Sequence, residues 1–204
     1  MSTRSSSRVT RTKKKRSIEY GGNILAFDQS NERTGIAVLD PQLQLIKIGC
    51  IDFSDQKKLE PWEKREIVAQ VTHEWCLKYK PCMVVIERVR LFSNYERAVK
   101  VGGRVVGKER KTGISLPTVE SLAKLNGFIV HSARKLGIPV YSLDTKDWKE
   151  ALFSRAPGRE LSDKGLSVWY IEQVFGMLVD HDSAEAACIG LVAAQNENLL
   201  EEET

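Results

Sequence analysis

Apolar residues fall into two kinds of run along this chain, and each kind predicts a different element. Asn23 to Phe27 and Cys82 to Ile86 are almost unbroken apolar stretches, too short for helices and typical of strands buried on both faces of a sheet. After the first stretch a polar turn leads into a second run, Gly35 to Leu39, and Asp40-Pro41 turns the chain into a third, Leu43 to Ile51. Three antiparallel strands are therefore expected first. Helical three-to-four spacing then takes over from Pro61 to about Lys80, with Ile67, Val68, Val71 and Trp75 as the apolar stripe and Pro81 as the stop. A second helix is predicted from Ser115 and Pro117 to Gly137, carrying Val119, Leu122, Ile129, Ala133 and Leu136 on one face. Ile138 to Ser142 reads as a fifth strand, with Pro139 at a strand start or a sheet edge. Trp148 and Lys149 lie in a mixed segment, Ser162 to Phe175 predicts a helix, and Asp182 to about Asn196 predicts a closing one. The expected fold class is α/β: a five-stranded mixed sheet, three antiparallel strands then two parallel ones, flanked by helices.

Length and charge add appendages to that domain. A chain of 204 residues supports one substantial core. The domain is expected to span 21–197, preceded by a basic tail (1–20) and followed by a short acidic one (198–204). The first tail holds Arg4, Arg8, Arg11, Lys13, Lys14, Lys15 and Arg16 against Glu19, a net +6 that leaves −2 for the rest of a chain whose total is +4. It has too few apolar residues for a core and is expected to be disordered. Residues 88–114 are a second basic segment, interrupted by Gly102, Gly103, Gly107 and Gly113, and expected to be an irregular insertion opening with a helical turn or two near Asn94 to Val101. Arg88, Arg90, Arg97, Lys100, Arg104, Lys108, Arg110 and Lys111 stand there against Glu96 and Glu109. Two basic segments on an acidic body point to a polyanion partner, although a tail of this kind also serves as a solubilising or targeting leader. No apolar run approaches the ~18 residues of a membrane span, and no apolar region follows the N-terminal charges as in a secretory signal. Cys50, Cys76, Cys82 and Cys188 lie in or beside apolar segments with no Cys-x-x-Cys pair, which fits reduced, packed thiols of a cytosolic protein better than a zinc site.

The chemistry sits where apolar runs end. Asp28 closes the first strand and Glu87 the fourth, while Asp182 and Glu185, three apart, share one side of the closing helix's first turn. Each acid has an ordinary alternative: Asp28 as a turn former, Asp182 and Glu185 as capping and dipole partners. Ala184, Ala186, Ala187 and Gly190, however, make that helix slim enough to lie close on a sheet and aim its acids at the strand ends. Converging carboxylates repel one another, and a hard divalent cation with oxygen ligands keeps them ionised. Two Mg²⁺ ions about 4 Å apart are a familiar clamp for attack of water on a phosphodiester.

The order of elements resembles the RNase H-like fold, and the motifs resemble those of the RuvC Holliday junction resolvases, particularly the compact versions of bacteriophages and their Gram-positive hosts. The carrying residues are Ile24 to Ser30 with Thr34 to Val38, Val84 to Arg88, and Asp182 to Ala186, supported by Leu122 to Gly127, Gly137 to Val140, and Trp148-Lys149. The resemblance spans about residues 23–195. It implies a homodimeric, Mg²⁺- or Mn²⁺-dependent endonuclease with two ions per site, nicking four-way DNA junctions symmetrically in the cytoplasm of a bacterial cell or phage-infected host. Asp28, Glu87, Asp182 and Glu185 are then both catalytic residues and metal ligands. Two departures stand out: Glu185 replaces the family's usual Asp, and Arg90 replaces the usual junction-wedging aromatic, with Phe92 two residues further on as either a wedge or a local anchor. Lys149 and Lys164 are candidate phosphate-contacting lysines or solvated ones, and His181 lies beside the acids in sequence. Alternatives are another RNase H-like nuclease acting on flaps or branched DNA, a sugar-kinase or chaperone-type ATPase, and a catalytically inactive nucleic-acid-binding module of the same fold.

Overall fold

The computed structural model describes residues 21–56, 58–89, 95–101, 104–111, 115–154 and 163–203, with backbone alone for 95–111 and for Asp163 and Lys164. The expectations for residues 1–20, Arg90, Phe92 and Ser162 fall outside these residues. Strands β1 (Asn23–Asp28), β2 (Arg33–Leu39) and β3 (Leu45–Asp52) come first, followed by helix α1 (Pro61–Tyr79) and strand β4 (Pro81–Glu87). Strands β5 (Tyr95–Val101) and β6 (Arg104–Lys111) pair only with each other. Helix α2 (Leu116–Arg134), strand β7 (Val140–Leu143), helices α3 (Thr145–Phe153), α4 (Asp163–Phe175) and α5 (His181–Gln195), a 3₁₀ turn at Glu197–Leu199 and strand β8 (Glu201–Glu202) complete the chain.

The main sheet runs β3-β2-β1-β4-β7-β8. Strands β1 to β3 are antiparallel, β4 and β7 join β1 in parallel, and β8 returns antiparallel to β7. The expected sheet is thus present with six strands instead of five. The extra strand is two glutamates, too short and too polar to stand out in the sequence, and it turns part of the expected acidic tail into a sheet edge. The basic insertion also departs from expectation: Tyr95–Val101, where a helical turn was expected, is a strand that pairs antiparallel with Arg104–Lys111. Helix α3 ordered the mixed segment through its Asp144 cap, whose carboxylate accepts the Lys146 amide at 3.0 Å.

Strand alternation divides the core in two. Leu25, Phe27, Ile36, Val38, Val84 and Ile86 face α1 and α2, where Val68, Thr72 and Cys76 are the buried line of α1. That line lies beside the expected stripe, whose Ile67, Val71 and Trp75 are only partly buried. Ile24, Ala26, Ala37, Leu39, Met83 and Val85 face the other way, onto α5. Every residue of α5 from Ser183 to Ala193 is buried, with α3 and α4 closing over its outer side. Cys76 and Cys188 are buried and Cys82 is exposed, so only part of the expected thiol packing holds. Among the described residues no helix is long and apolar enough to cross a membrane.

Candidate active site

Parity along the strands decides where the strand-end acids point. Asp28 continues the Ile24, Ala26 series and Glu87 continues Met83, Val85, so both belong to the face that α5 covers. Strands β1 and β4 are parallel neighbours in register through Phe27 and Ile86, which sets Asp28 and Glu87 side by side at one sheet edge. Helix α5 supplies the other two acids from its first turns. Asp180 caps it by accepting the Ser183 amide at 3.1 Å, and the Ser183 hydroxyl donates back to Asp180 at 2.5 Å. Helix and sheet touch through glycine. A Cβ on Gly35 would lie 1.9 Å from the carbonyl oxygen of Asp182, and one on Gly190 would lie 2.3 Å from Leu39 Cδ1 and 3.2 Å from Ala26 Cβ. Only side-chain-free positions allow this approach, which presses the first turn of α5 against the strand paired with Asp28.

The four acids feel one another. Burial pushes the Asp28 carboxyl well above the usual range, and Glu87, Glu185 and Asp182 push it further, with a side-chain hydrogen bond to Glu185. Glu87 is raised chiefly by burial and also by Glu185, against the lowering effect of hydrogen bonds from Trp148 and Thr145 and of the Lys149 charge. Trp148, fully buried, donates Nε1–H to Glu87 Oε1 at 3.0 Å. Lys149 Nζ lies 3.3 Å from Glu185 Oε1 and 5.1 Å from the centre of the Trp148 ring. His181 places Nδ1 3.2 Å from Asp182 and Nε2 3.5 Å from Glu185. The backbone of Glu87 is held as well: its amide donates to Gln29 Oε1 at 3.1 Å, its carbonyl accepts from the Gln29 side chain, and Asn126 Nδ2 donates to the same carbonyl at 3.2 Å.

A second acidic group lies on the far side of Asp182. Cys50, Asp180 and Asp182 bring one donor atom each within 4.8 Å of one another. Arg33 already occupies that ground, with Nε 2.7 Å from Asp182, Nη2 3.2 Å from Asp180 and 3.8 Å from Cys50 Sγ, and Nη1 3.6 Å from Asp52. A guanidinium at the centre makes this an ion-pair cluster, and a cation there would have to displace it. The Asp28 group differs. Its donors are hard carboxylate oxygens, its mutual repulsion is expressed in two raised carboxyls, and buried Glu185 Oε1 has the Lys149 ammonium 3.3 Å away without an aligned hydrogen bond. That donor set fits a hard divalent cation of the Mg²⁺ or Mn²⁺ kind.

All four sequence-predicted acids therefore meet at one place, joined by Lys149 and His181. Lys164 lies at the start of α4, and Arg97, Lys100, Arg104, Lys108, Arg110 and Lys111 lie on the β5–β6 hairpin, all placed by backbone only. The Arg88 guanidinium lies 2.6 Å from Glu201 and 3.3 Å from the Ser142 hydroxyl. Sequence reasoning missed Arg33, Gln29, Asn126 and the indole contact of Trp148. Gln29 and Asn126 fall within the motifs Ile24 to Ser30 and Leu122 to Gly127 but had no role assigned, and nothing local marks Arg33. The Trp-Lys pair of a short capped helix was the one available signal for the fourth.

Solved structures share this architecture. The chain superposes on Thermus thermophilus RuvC in complex with a Holliday junction substrate with a TM-score of 0.64 and 13% identity, over 89% of this chain and 99% of that one. A second Thermus thermophilus RuvC structure gives 0.61 and 15% over the same shares, and the yeast mitochondrial Holliday junction resolvase gives 0.46 and 14% over 84% and 75%. No protein-family model and no curated protein matches the sequence. The fold is that of the RuvC structures.

Proposed function

We propose that this chain is a divalent-metal-dependent endodeoxyribonuclease that resolves four-way DNA junctions by paired, symmetric nicks. The observation that carries the reading is the convergence of Asp28, Glu87, Asp182 and Glu185 on one sheet edge, in a fold shared with a resolvase whose solved structure holds a Holliday junction. Asp28 and Glu87 from the strands and Asp182 and Glu185 from α5 would hold Mg²⁺ or Mn²⁺, two ions to a site. When bound, such a pair neutralises charge on the scissile phosphate and lowers the pKa of an attacking water. Trp148 fixes which Glu87 oxygen is available, and Gln29 and Asn126 fix the backbone that carries it. Lys149 balances charge at Glu185, the His181 ring lies within reach of Asp182 and Glu185, and Lys149 and Lys164 are the lysines assigned to the phosphate.

Two cuts on opposed strands call for a two-fold dimer with equivalent sites. The basic 1–20 segment and the β5–β6 hairpin are assigned to DNA, as the remaining basic segments of the chain. Four cysteines without disulfides suit the cytoplasm of a bacterial cell or a phage-infected host. The test is single-turnover cleavage of labelled four-way, Y-shaped and linear duplex DNA, with and without Mg²⁺, beside Asp28→Asn. Paired nicks confined to the four-way substrate, dependent on Mg²⁺ and lost by several orders of magnitude in Asp28→Asn, are expected. Equal cutting of all three substrates removes the junction assignment, and full activity in Asp28→Asn removes the metal-site assignment.

A further inference from the structure

On the α1/α2 side of the sheet a cleft of about 230 Å³ opens beside the turn that follows Asp28. Its polar lining is Ser30, Asn31, Lys64, Arg65 and Ser121, two cations, two hydroxyls and an amide, and no acidic side chain is among its lining residues. The Ser121 hydroxyl donates to Asn31 Oδ1 at 2.8 Å, which uses the amide oxygen and leaves its N–H₂ to donate. The Lys64 ammonium stands 5.6 Å from the centre of the Phe53 ring, which forms part of the wall. On the far side of the same turn a wider cleft of about 760 Å³ carries Glu32, Glu172 and Asp182 together with Arg33 and His181, so groups of both kinds line it. Ser30 lines both clefts.

We propose that the Lys64/Arg65 cleft seats a backbone phosphodiester of the strand being cut, close to the scissile bond. A strand laid with one phosphate over Asp28 would pass the turn residues Ser30 and Asn31 next, and this cleft offers charge and donors there; the carboxylate that feels Arg65 is the exposed Glu120, already paired with Lys124 at 2.5 Å. Arginine and lysine with hydroxyl and amide donors are the usual contacts to phosphate oxygens. Such a contact positions the strand and carries no base preference.

This assignment rests on the nuclease reading, and the test keeps the two separable. Junction affinity is measured by gel shift in Ca²⁺ over a salt series for wild type and for Lys64→Gln/Arg65→Gln. Junctions carrying a neutral methylphosphonate at single positions around the cleavage site are then compared. The double variant should lose about 0.9 in the slope of log affinity against log salt for each phosphate contact removed. One flanking methylphosphonate that weakens wild-type binding about fivefold should have no effect on the variant. Lys64→Gln alone should show part of the loss with an unchanged melting temperature, which separates the contact from a folding defect. An unchanged slope, or a methylphosphonate profile identical in wild type and variant, overturns the cleft assignment while wild-type binding and cutting stand. A wild-type protein that neither binds nor cuts junctions overturns both.

Discussion

Gly35→Ala is the sharpest test of how α5 is placed. The added Cβ would sit 1.9 Å from the carbonyl oxygen of Asp182 and 2.9 Å from the amide nitrogen of Ser183, both backbone atoms that cannot rotate away. Ordinary contact begins near 3.5 Å, so something must move by about 1.5 Å. Strand β2 is held on both sides, Gly35 pairing with Asp28 of β1 and Cys50 of β3, and the first turn of α5 is therefore the part that yields. That turn carries Asp182 and, three residues on, Glu185, while Asp28 and Glu87 stay with the sheet. A misplacement of 1 Å in reacting groups costs on the order of 100-fold in rate. Overpacking a core costs about 2 kcal/mol, which lowers the melting temperature of a domain this size by roughly 4–8 °C. The expected result is a folded protein that binds junctions in Ca²⁺ within about threefold of wild type and cleaves at least about 100-fold more slowly in single-turnover assays. Gly190→Ala is the control, because its Cβ meets mainly the mobile end of Leu39, further along the helix. It should lose comparable stability and keep cleavage within about threefold. Wild-type cleavage by a folded Gly35→Ala protein would refute the placement argument, as would an equal loss of rate in both variants.

Other substitutions probe the carboxylates directly. Asp28→Asn should raise the melting temperature of the metal-free protein near pH 7: a carboxyl raised by burial and by neighbouring acids makes the folded state bind more protons than the unfolded one, so stability falls as pH climbs through the raised range. The gain should disappear below the ordinary Asp range near pH 4, where wild type is protonated in both states, and a gain that persists at pH 3 would contradict this account. Mg²⁺ should stabilise wild type in a thermal-shift assay and leave Asp28→Asn almost unmoved. Trp148→Phe removes the donor to Glu87 Oε1 and should lower stability by about 1–3 kcal/mol and raise the Mg²⁺ concentration for half-maximal cleavage; an unchanged Mg²⁺ titration would leave the indole a packing role only. Glu185→Asp should keep cleavage within about tenfold, equivalent to about 1.4 kcal/mol, and shift the Mg²⁺/Mn²⁺ preference.

What could be read from the chain before its structure follows from where the information lies. Ile24 to Phe27 and Met83 to Ile86 announce buried strands because an apolar run needs both faces covered, and a carboxylate at the end of each breaks the pattern visibly. The alanines and Gly190 of α5 were readable for the same local reason. Arg33 was not: its partners lie 17 to 149 residues away, and a lone arginine at the start of a strand carries no sign of them. Lys64 and Arg65 were hidden by Glu63 and Glu66, which cancel their charge along the sequence while only the two cations line the cleft. In 95–111 the density of charge obscured the hairpin, although Val99, Val101 and Val105 beside two glycines are strand and turn chemistry.

The two-residue strand β8 has a practical consequence for anyone handling the protein. Its pairing covers the outer edge of β7, and its glutamates reach back to Arg88 and Arg134. Trimming residues 200–204 would bare the Val140–Leu143 backbone as an open edge and free the Arg88 side chain, inviting strand-to-strand association between molecules. Shortened preparations would then fail by turbidity and clumping during purification before any defect in chemistry could be seen.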